Sequence, residues 1–320
     1  MKKRLAIIGA CTTLLFSFGA AAPASADNGP HMAGAGIVAD GCAGCHRTHT
    51  AVAAKLLKTA MPALCLTCHG ATGTGASSDV VDGLGYPTAA RGATAGALRG
   101  GGFSFALINS ATPGGQSNSY SNVAGTIPVL GAGVGTSSAH TVDGTTGTAW
   151  GNGAISTTVN TGKAIGLTCG SCHDPHGNGT YRILKNIPMD SGGTSTPIAD
   201  SAVAKVYTTT NYWKVEDTTA PAFIANVSAW CTTCHTRYLS GGDGATPSGD
   251  ALFTYRHKSN DVAQGKASCI QCHVSHGSNA AMAGVQSAAS TNNPGDTVPT
   301  GSSKLLRIDN RGTCQMCHNR

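Results

Sequence analysis

The sequence has 320 residues and an unusual composition, with 44 glycines, 5% aromatic residues and 11% charged residues. Long runs of Gly, Ser, Thr and Ala bury little apolar surface, so side chains alone would hardly offset the entropy of folding. The composition therefore excludes an ordinary side-chain core and implies that something else supplies the interior. The formal charge of +6 is modest, and half of it comes from Lys2, Lys3 and Arg4.

Residues 1–26 have the pattern of a secretory signal peptide. A basic head and an apolar run lead to Ala24-Ser25-Ala26, the small-x-small pattern that signal peptidase recognises. We expect Sec export and cleavage before Asp27. A membrane anchor fits less well because polar residues interrupt the run, and a lipoprotein signal ending at Cys11 fits less well because the run continues past it. No later segment is apolar enough to span a bilayer.

Little regular secondary structure is expected in the mature chain. The stretch from Thr50 to Met61 contains helix formers after a Thr cap, so it is predicted to be a helix that Pro62 ends. Residues 70–138 are rich in Gly, Ser, Thr and Ala and are predicted to be coil with a few short strands, such as Phe103 to Ile108.

The cysteines form one repeated motif. Of the 13 cysteines, Cys11 leaves with the signal peptide and the other 12 fall in six Cys-x-x-Cys-His pentads. Export would favour disulfides, but no cysteine is left over for one. In chain order, sites 1 to 6 are Cys42/Cys45/His46, Cys65/Cys68/His69, Cys169/Cys172/His173, Cys231/Cys234/His235, Cys269/Cys272/His273 and Cys314/Cys317/His318.

This spacing suits covalent attachment of haem c. Two cysteines one helical turn apart reach the two vinyl groups on one porphyrin edge, and the following histidine then lies under the iron. Zinc ribbons also use Cys-x-x-Cys pairs, but they do not need a histidine after every pair. The sequence therefore predicts six haem c groups, around which short helical turns form at each motif.

The chain has 12 histidines, twice the number of motifs. Six are the proximal iron ligands of the pentads. The other six are His31, His49, His140, His176, His257 and His276. A lone histidine is usually an idle surface residue, but one spare imidazole per haem is the count that bis-histidine ligation needs. We therefore predict these six as distal ligands.

The histidines also define a repeat. A lone histidine, a doubled motif Cys-x-x-Cys-His-x-x-His and a plain motif occur in that order three times. The mature chain 27–320 is thus predicted to be a single domain of three two-haem repeats, at about 27–75, 140–240 and 257–320. A haem-free insert occupies about 76–139. The predicted fold is mostly irregular coil with short α-helices and few short strands, packed around a chain of covalently bound haems.

Geometry restricts the third histidine of each doubled motif. His49, His176 and His276 each lie three residues after a proximal ligand, too close to reach the far face of the same haem. Each must ligate a different iron, which would bring two haems nearly into contact, or act as a polar residue behind a ligand. The lone His31, His140 and His257 are predicted to serve the second haem of a repeat, with the choice of repeat left open.

Haem changes the expected charge and chemistry. Each oxidised bis-imidazole haem adds about one net negative charge, so the holoprotein is not expected to bind nucleic acid. Full axial ligation leaves no open position for a substrate, so we predict an electron-transfer protein and not an enzyme. The alternative, a nitrite or hydroxylamine reductase, needs a five-coordinate haem.

The residues resemble a known family. The segment from Cys169 to Gly177, followed by Tyr181-Arg182, resembles the paired-haem modules of multihaem cytochromes with doubled CxxCH motifs. The whole layout is similar to the outer-surface hexahaem c-type cytochromes of the nanowire type in metal-reducing bacteria. The matching features are His31, Cys42 to His49, Trp230 to Thr236, Arg256-His257 and Cys314 to His318.

This resemblance implies a filament. It implies six low-spin bis-histidine haems, with His49 ligating the haem of site 5 in the adjacent subunit. Such a head-to-tail contact repeats without closing. The resemblance also implies a location at the cell surface, other multihaem cytochromes as electron donors, and extracellular acceptors such as Fe(III) oxides. The alternative is a monomeric electron shuttle in the periplasm.

Overall fold

A computed structural model describes residues 30–31, 41–106, 135–149, 151–152, 164–178, 180–190, 206–207, 221–238, 269–280 and 304–307. Five of the six predicted haem sites lie within these ranges. The predicted signal peptide, His257 and the whole of site 6, with Cys314, Cys317 and His318, lie outside them.

Helical structure is short and concentrated at the cysteine motifs. The α-helices are α1 (Ala63–His69), α2 (Cys169–Cys172), α3 (Pro221–Cys231) and α4 (Cys269–Cys272), and single 3-10 turns occur at Gly41–Gly44, Ala54–Leu56, Tyr181–Ile183, Pro188–Asp190 and Thr236–Tyr238. At sites 1, 3, 4 and 5 the amide of the motif histidine donates to the carbonyl of the first cysteine, at 2.8 to 3.1 Å. This bond closes one helical turn and holds the two thiols on one side of it.

The strands are short and pair in three small antiparallel sheets. They are β1 (Ser78–Asp79), β2 (Leu84–Gly85), β3 (Gly96–Leu98), β4 (Ser138–Ala139), β5 (Thr146–Thr148), β6 (Ala164–Gly166), β7 (Val206–Tyr207) and β8 (Gly277–Ser278). The largest sheet has the order β1-β2-β3-β7, β4 pairs with β8, and β5 pairs with β6. Since β3 pairs with β7 and β4 with β8, distant parts of the chain are joined around the cysteine motifs.

Side-chain burial is sparse in the described ranges. Tyr181 and Val227 are buried together, with Leu184, Trp230 and Ile270 packed against them. The other buried apolar side chains in these ranges are small, mainly alanine and valine. Val227 and Trp230 lie in α3 and Ile270 in α4, so this cluster connects the segments that carry the cysteine motifs of sites 4 and 5.

Two secondary-structure predictions are wrong. The segment from Thr50 to Met61 is not a helix: it contains one 3-10 turn, Ala54–Leu56, in which Lys55 has φ 59°. Its backbone instead pairs with site 1, where the amide of Arg47 donates to Leu56 O at 2.8 Å. The predicted strand from Phe103 is absent over residues 103–106, where Phe105 makes an isolated bridge with Gly135. Residues 107 and 108 lie outside the described ranges.

No helix in the described part of the chain is long and apolar enough to cross a membrane.

Candidate functional site

Each doubled motif folds against a short basic and apolar turn further along the chain. We call these turns the return turns; they are Lys55-Leu56-Leu57-Lys58, Arg182-Ile183-Leu184-Lys185 and Lys304-Leu305-Leu306-Arg307. The third residue of each turn forms an antiparallel bridge with the motif histidine. The amide of the fourth residue donates to the carbonyl of the second cysteine, at 2.8 to 2.9 Å. The three doubled motifs therefore share one local structure.

The first two residues of every return turn have left-handed backbone conformations. Their φ angles lie between 49° and 62°. A residue other than glycine adopts this conformation at a cost of about 1–3 kcal/mol. The turn aims its first carbonyl at the motif histidine. His46 Nδ1 is 2.9 Å from Lys55 O, His173 Nδ1 is 2.9 Å from Arg182 O, and His273 Nδ1 is 3.1 Å from Lys304 O.

These contacts determine which imidazole nitrogen can bind a metal. A carbonyl oxygen only accepts, so the Nδ1 that contacts it carries the proton and Nε2 keeps its lone pair. Three histidines outside the pentads are held in the same way. His31 Nδ1 donates to Pro175 O at 2.8 Å, His140 Nδ1 to Ser275 O at 2.6 Å, and His276 Nδ1 to Gly101 O at 3.3 Å. Metal-binding histidines in proteins usually have this support behind the ligating nitrogen.

The plain motifs of sites 2 and 4 are supported differently. At site 2, His69 Nδ1 lies 2.9 Å from the hydroxyl oxygen of Ser78 in β1. At site 4, Asn152 Nδ2 donates to Cys234 O at 2.6 Å. These sites have no return turn in the described ranges, so the two haem sites of one repeat differ in their local structure.

Four pairs of imidazole rings have nearly the same distance between their ring centroids. Each pair joins a pentad histidine to one of the spare histidines. The ring centroids are 6.1 Å apart for His46 and His176, 6.1 Å for His69 and His31, 6.4 Å for His173 and His276, and 6.3 Å for His235 and His140. Two imidazoles on opposite faces of one iron, each with a metal–nitrogen bond of about 2 Å, have ring centres roughly 6 Å apart.

Two predicted ligands are not paired in this way. His273, the proximal histidine of site 5, has no second imidazole at this distance among the described residues. His49 is exposed, and no described residue hydrogen-bonds to it or stacks on it. The structure therefore leaves one site and one spare imidazole unmatched in the described part of a single chain.

The thiols of successive sites adjoin one another. Burial raises the pKa of the Cys45 thiol, and the nearby Cys65 and Cys68 raise it further. A hydrogen bond between the thiols of Cys65 and Cys169 raises the pKa of the first and lowers that of the second.

The thiols of sites 3, 4 and 5 also lie next to one another. Burial raises the pKa of Cys172 to about 11, and Cys234 contributes to that shift. Cys231 and Cys269 hydrogen-bond each other, which raises the pKa of Cys231 and lowers that of Cys269. The attachment points of sites 1 to 5 thus follow one another in chain order.

The donor set fits haem c. Each described site offers two thiols on one turn and an imidazole beside them, which are the groups that haem c attachment uses. At site 5, His273 Nδ1 contacts Lys304 O at 3.1 Å, so Nε2 keeps the lone pair that an iron ligand needs.

The motifs did not reveal the return turns, whose backbone carbonyls contact the pentad histidines of the doubled motifs. They were visible as a basic–apolar–Leu–basic tetrapeptide after each doubled motif. In the first two repeats the accepting carbonyl lies nine residues after the histidine, and in the third it lies 31 residues after it. Because the third loop is longer, a search for the tetrapeptide at a fixed distance from the histidine finds only the first two turns.

Residues 36–74 match the protein family described as doubled CXXCH motif. They include site 1, with its doubled motif, and site 2. No curated protein and no solved structure matches the chain. The family match supports a multihaem c-type cytochrome that transfers electrons, with haem c bound covalently at CxxCH motifs.

Proposed function

We propose that this chain is a hexahaem c-type cytochrome that conducts electrons through closely spaced bis-histidine haems, as an extracellular filament that delivers electrons to external acceptors such as metal oxides. The observation that carries the proposal is the set of four imidazole pairs with centroids 6.1 to 6.4 Å apart. Haem iron supplies the one-electron chemistry, and the protein positions and insulates it.

The pairs suggest an axial ligand for each of the first four sites. The distal ligands of sites 1 and 3 are His176 and His276, the third histidines of the next doubled motifs. The distal ligands of sites 2 and 4 are the lone His31 and His140 of the same repeats. Each doubled motif thus binds its own haem and completes the iron of the preceding doubled motif.

This rule extends beyond one chain. Site 5 belongs to the third doubled motif, and the described residues place no second imidazole opposite its His273. The first doubled motif supplies an unused third histidine, His49. If a second copy follows the first, its His49 occupies the position that the rule requires at site 5. By the same reasoning the lone His257 completes site 6 within its own repeat.

The surface around His49 also suits contact with a second copy. Val52 and Leu56, on the loop that follows His49, are 78% and 52% exposed. Large apolar side chains exposed next to a potential ligand are typical of a protein interface. Because the His49 surface and site 5 are different surfaces, the contact is head-to-tail and generates a filament.

The order of attachment points supports conduction. The cysteines of sites 1 to 5 adjoin in sequence order, so the porphyrin edges they carry would also adjoin. Electron tunnelling weakens steeply with distance, and short edge-to-edge gaps therefore favour transfer from one site to the next. A head-to-tail filament would continue that series from chain to chain.

Three measurements on the secreted, haem-loaded protein test the proposal. Intact mass should show six added haems, electron paramagnetic resonance of filaments should show low-spin iron alone, and electron micrographs should show filaments. Fewer than six haems would contradict the hexahaem assignment. Particles that stay monomeric, with every iron six-coordinate, would instead favour a periplasmic shuttle.

A further inference from the structure

Arg307, the last residue of the third return turn, is a buried cation. Its side chain is only 2% exposed. Its Nη2 atom donates to Ile270 O at 2.7 Å, to His273 O at 3.3 Å and to Arg99 O at 3.4 Å. The guanidinium is therefore fixed behind α4 and against the backbone of the proximal histidine of site 5.

The equivalent residue of the first return turn behaves differently. Lys58 occupies the same position, and its amide donates to Cys45 O just as the amide of Arg307 donates to Cys272 O. The Lys58 side chain, however, is exposed to solvent. The same backbone structure thus places a solvated charge near site 1 and a buried charge near site 5.

A buried charge acts on its neighbours more strongly than a solvated one, because water and salt screen it less. The guanidinium of Arg307 lies directly behind the site 5 ligand, with Nη2 2.7 Å from Ile270 O and 3.3 Å from His273 O. The field of Arg307 therefore reaches the imidazole that would bind the iron of site 5.

We propose that Arg307 raises the reduction potential of the haem at site 5, by disfavouring the oxidised iron, whose positive charge is greater by one. The inference rests on the proposed function, since it requires haem at site 5. Arg307 would act through its charge and through its hydrogen bonds to the backbone of site 5, and not by binding the iron. Lys58 has no comparable effect on site 1.

Redox titration of the six-haem protein tests this role. Arg307→Gln removes the charge and keeps hydrogen-bond donors for the carbonyls, and it should shift one of the six one-electron steps to a lower potential. Arg307→Lys should keep that step close to its wild-type position. Lys58→Gln is the matched control, and because its charge is exposed to solvent it should shift any step less than Arg307→Gln does. The Arg307→Gln shift should persist at high salt, since the charge is buried.

Two results would overturn the proposal: an unchanged titration in a six-haem Arg307→Gln protein, or an equal shift in Lys58→Gln. If Arg307→Gln does not fold, the test depends on Arg307→Lys, which keeps the charge. A six-haem Arg307→Lys protein whose potentials all differ from the wild-type values would also contradict the proposal. The mass of the wild-type protein distinguishes a failure of this proposal from a failure of the proposed function, because fewer than six haems would contradict the proposed function itself.

Discussion

The imidazole rings of His46 and His176 lie nearly parallel, with an interplanar angle of 14° and centroids 6.1 Å apart. His46 belongs to the first doubled motif and His176 to the second. Under the proposed function, the short peptide from His173 to His176 would present ligands to two different irons, and the spacing of three residues would set how closely those irons approach.

Removing His176 should expose one iron. His176→Ala takes away the second imidazole of site 1 and leaves its proximal ligand in place, so a further haem, in addition to that of site 5, should become high-spin and bind carbon monoxide. Absorbance and electron paramagnetic resonance of the isolated monomer measure this change. His49→Ala occupies the same motif position and is the matched control, because the spectrum of the monomer should not change. If the His176→Ala monomer shows no high-spin iron beyond that of site 5 in the wild-type monomer, the assignment of His176 to site 1 is wrong.

His49→Ala should act on assembly. The variant should carry six haems by mass but form no filaments, and site 5 should remain without its sixth ligand at any protein concentration. Electron microscopy of the secreted material and the high-spin signal report the two effects. Abundant filaments from this variant would refute ligation between subunits.

The apolar residues beside His49 offer a milder test. Val52→Asp places a charge on a side chain that is 78% exposed, so it should have little effect on the fold of the monomer. A charge buried in the contact between copies would weaken the filament. Light scattering should show dissociation at concentrations where the wild type is polymeric. Thr88→Asp, at an exposed position outside the His49 loop, serves as a control for charge alone.

The cysteine motifs could be identified from the sequence because covalent attachment requires a fixed local spacing, and the spare histidines because their number equals that of the motifs. The pairing of ligands could not, since His31 and His69, or His140 and His235, are brought together by contacts between distant segments. The repeat indicated only that a lone histidine serves a second haem. Long-range structure was needed to choose the repeat.

The error at Thr50 to Met61 has a similar cause. Helix propensity is a weak local preference, and here the carbonyl of Lys55 accepts a hydrogen bond from His46 Nδ1 at 2.9 Å. A helix would have used that carbonyl within its own backbone. The requirement of the site therefore overrides the local preference, as it does at the other two return turns.

The orientation of ligand planes predicts two kinds of low-spin iron. The planes are nearly parallel for His46 and His176 but 79° apart for His31 and His69. Perpendicular planes leave two iron orbitals nearly equal in energy and increase the anisotropy of the g-tensor. Electron paramagnetic resonance should therefore show an ordinary rhombic signal and a second signal with a larger maximum g. His31→Ala should reduce the second signal, leave the rhombic signal unchanged and add a high-spin signal from site 2.

Gly101→Ala should destabilise the fold around sites 3 and 5. Gly101 has φ +70°, and a Cβ there would collide with the carbonyl oxygen of Gly277. The left-handed conformation alone costs a non-glycine residue about 1–3 kcal/mol. The same glycine presents its carbonyl to His276 Nδ1 at 3.3 Å, so a backbone shift would also disturb the proposed distal ligand of site 3. Guanidinium unfolding followed in the haem absorbance should show a lower midpoint. Gly135→Ala, with no atom nearer than 4.0 Å to its Cβ, should not change it.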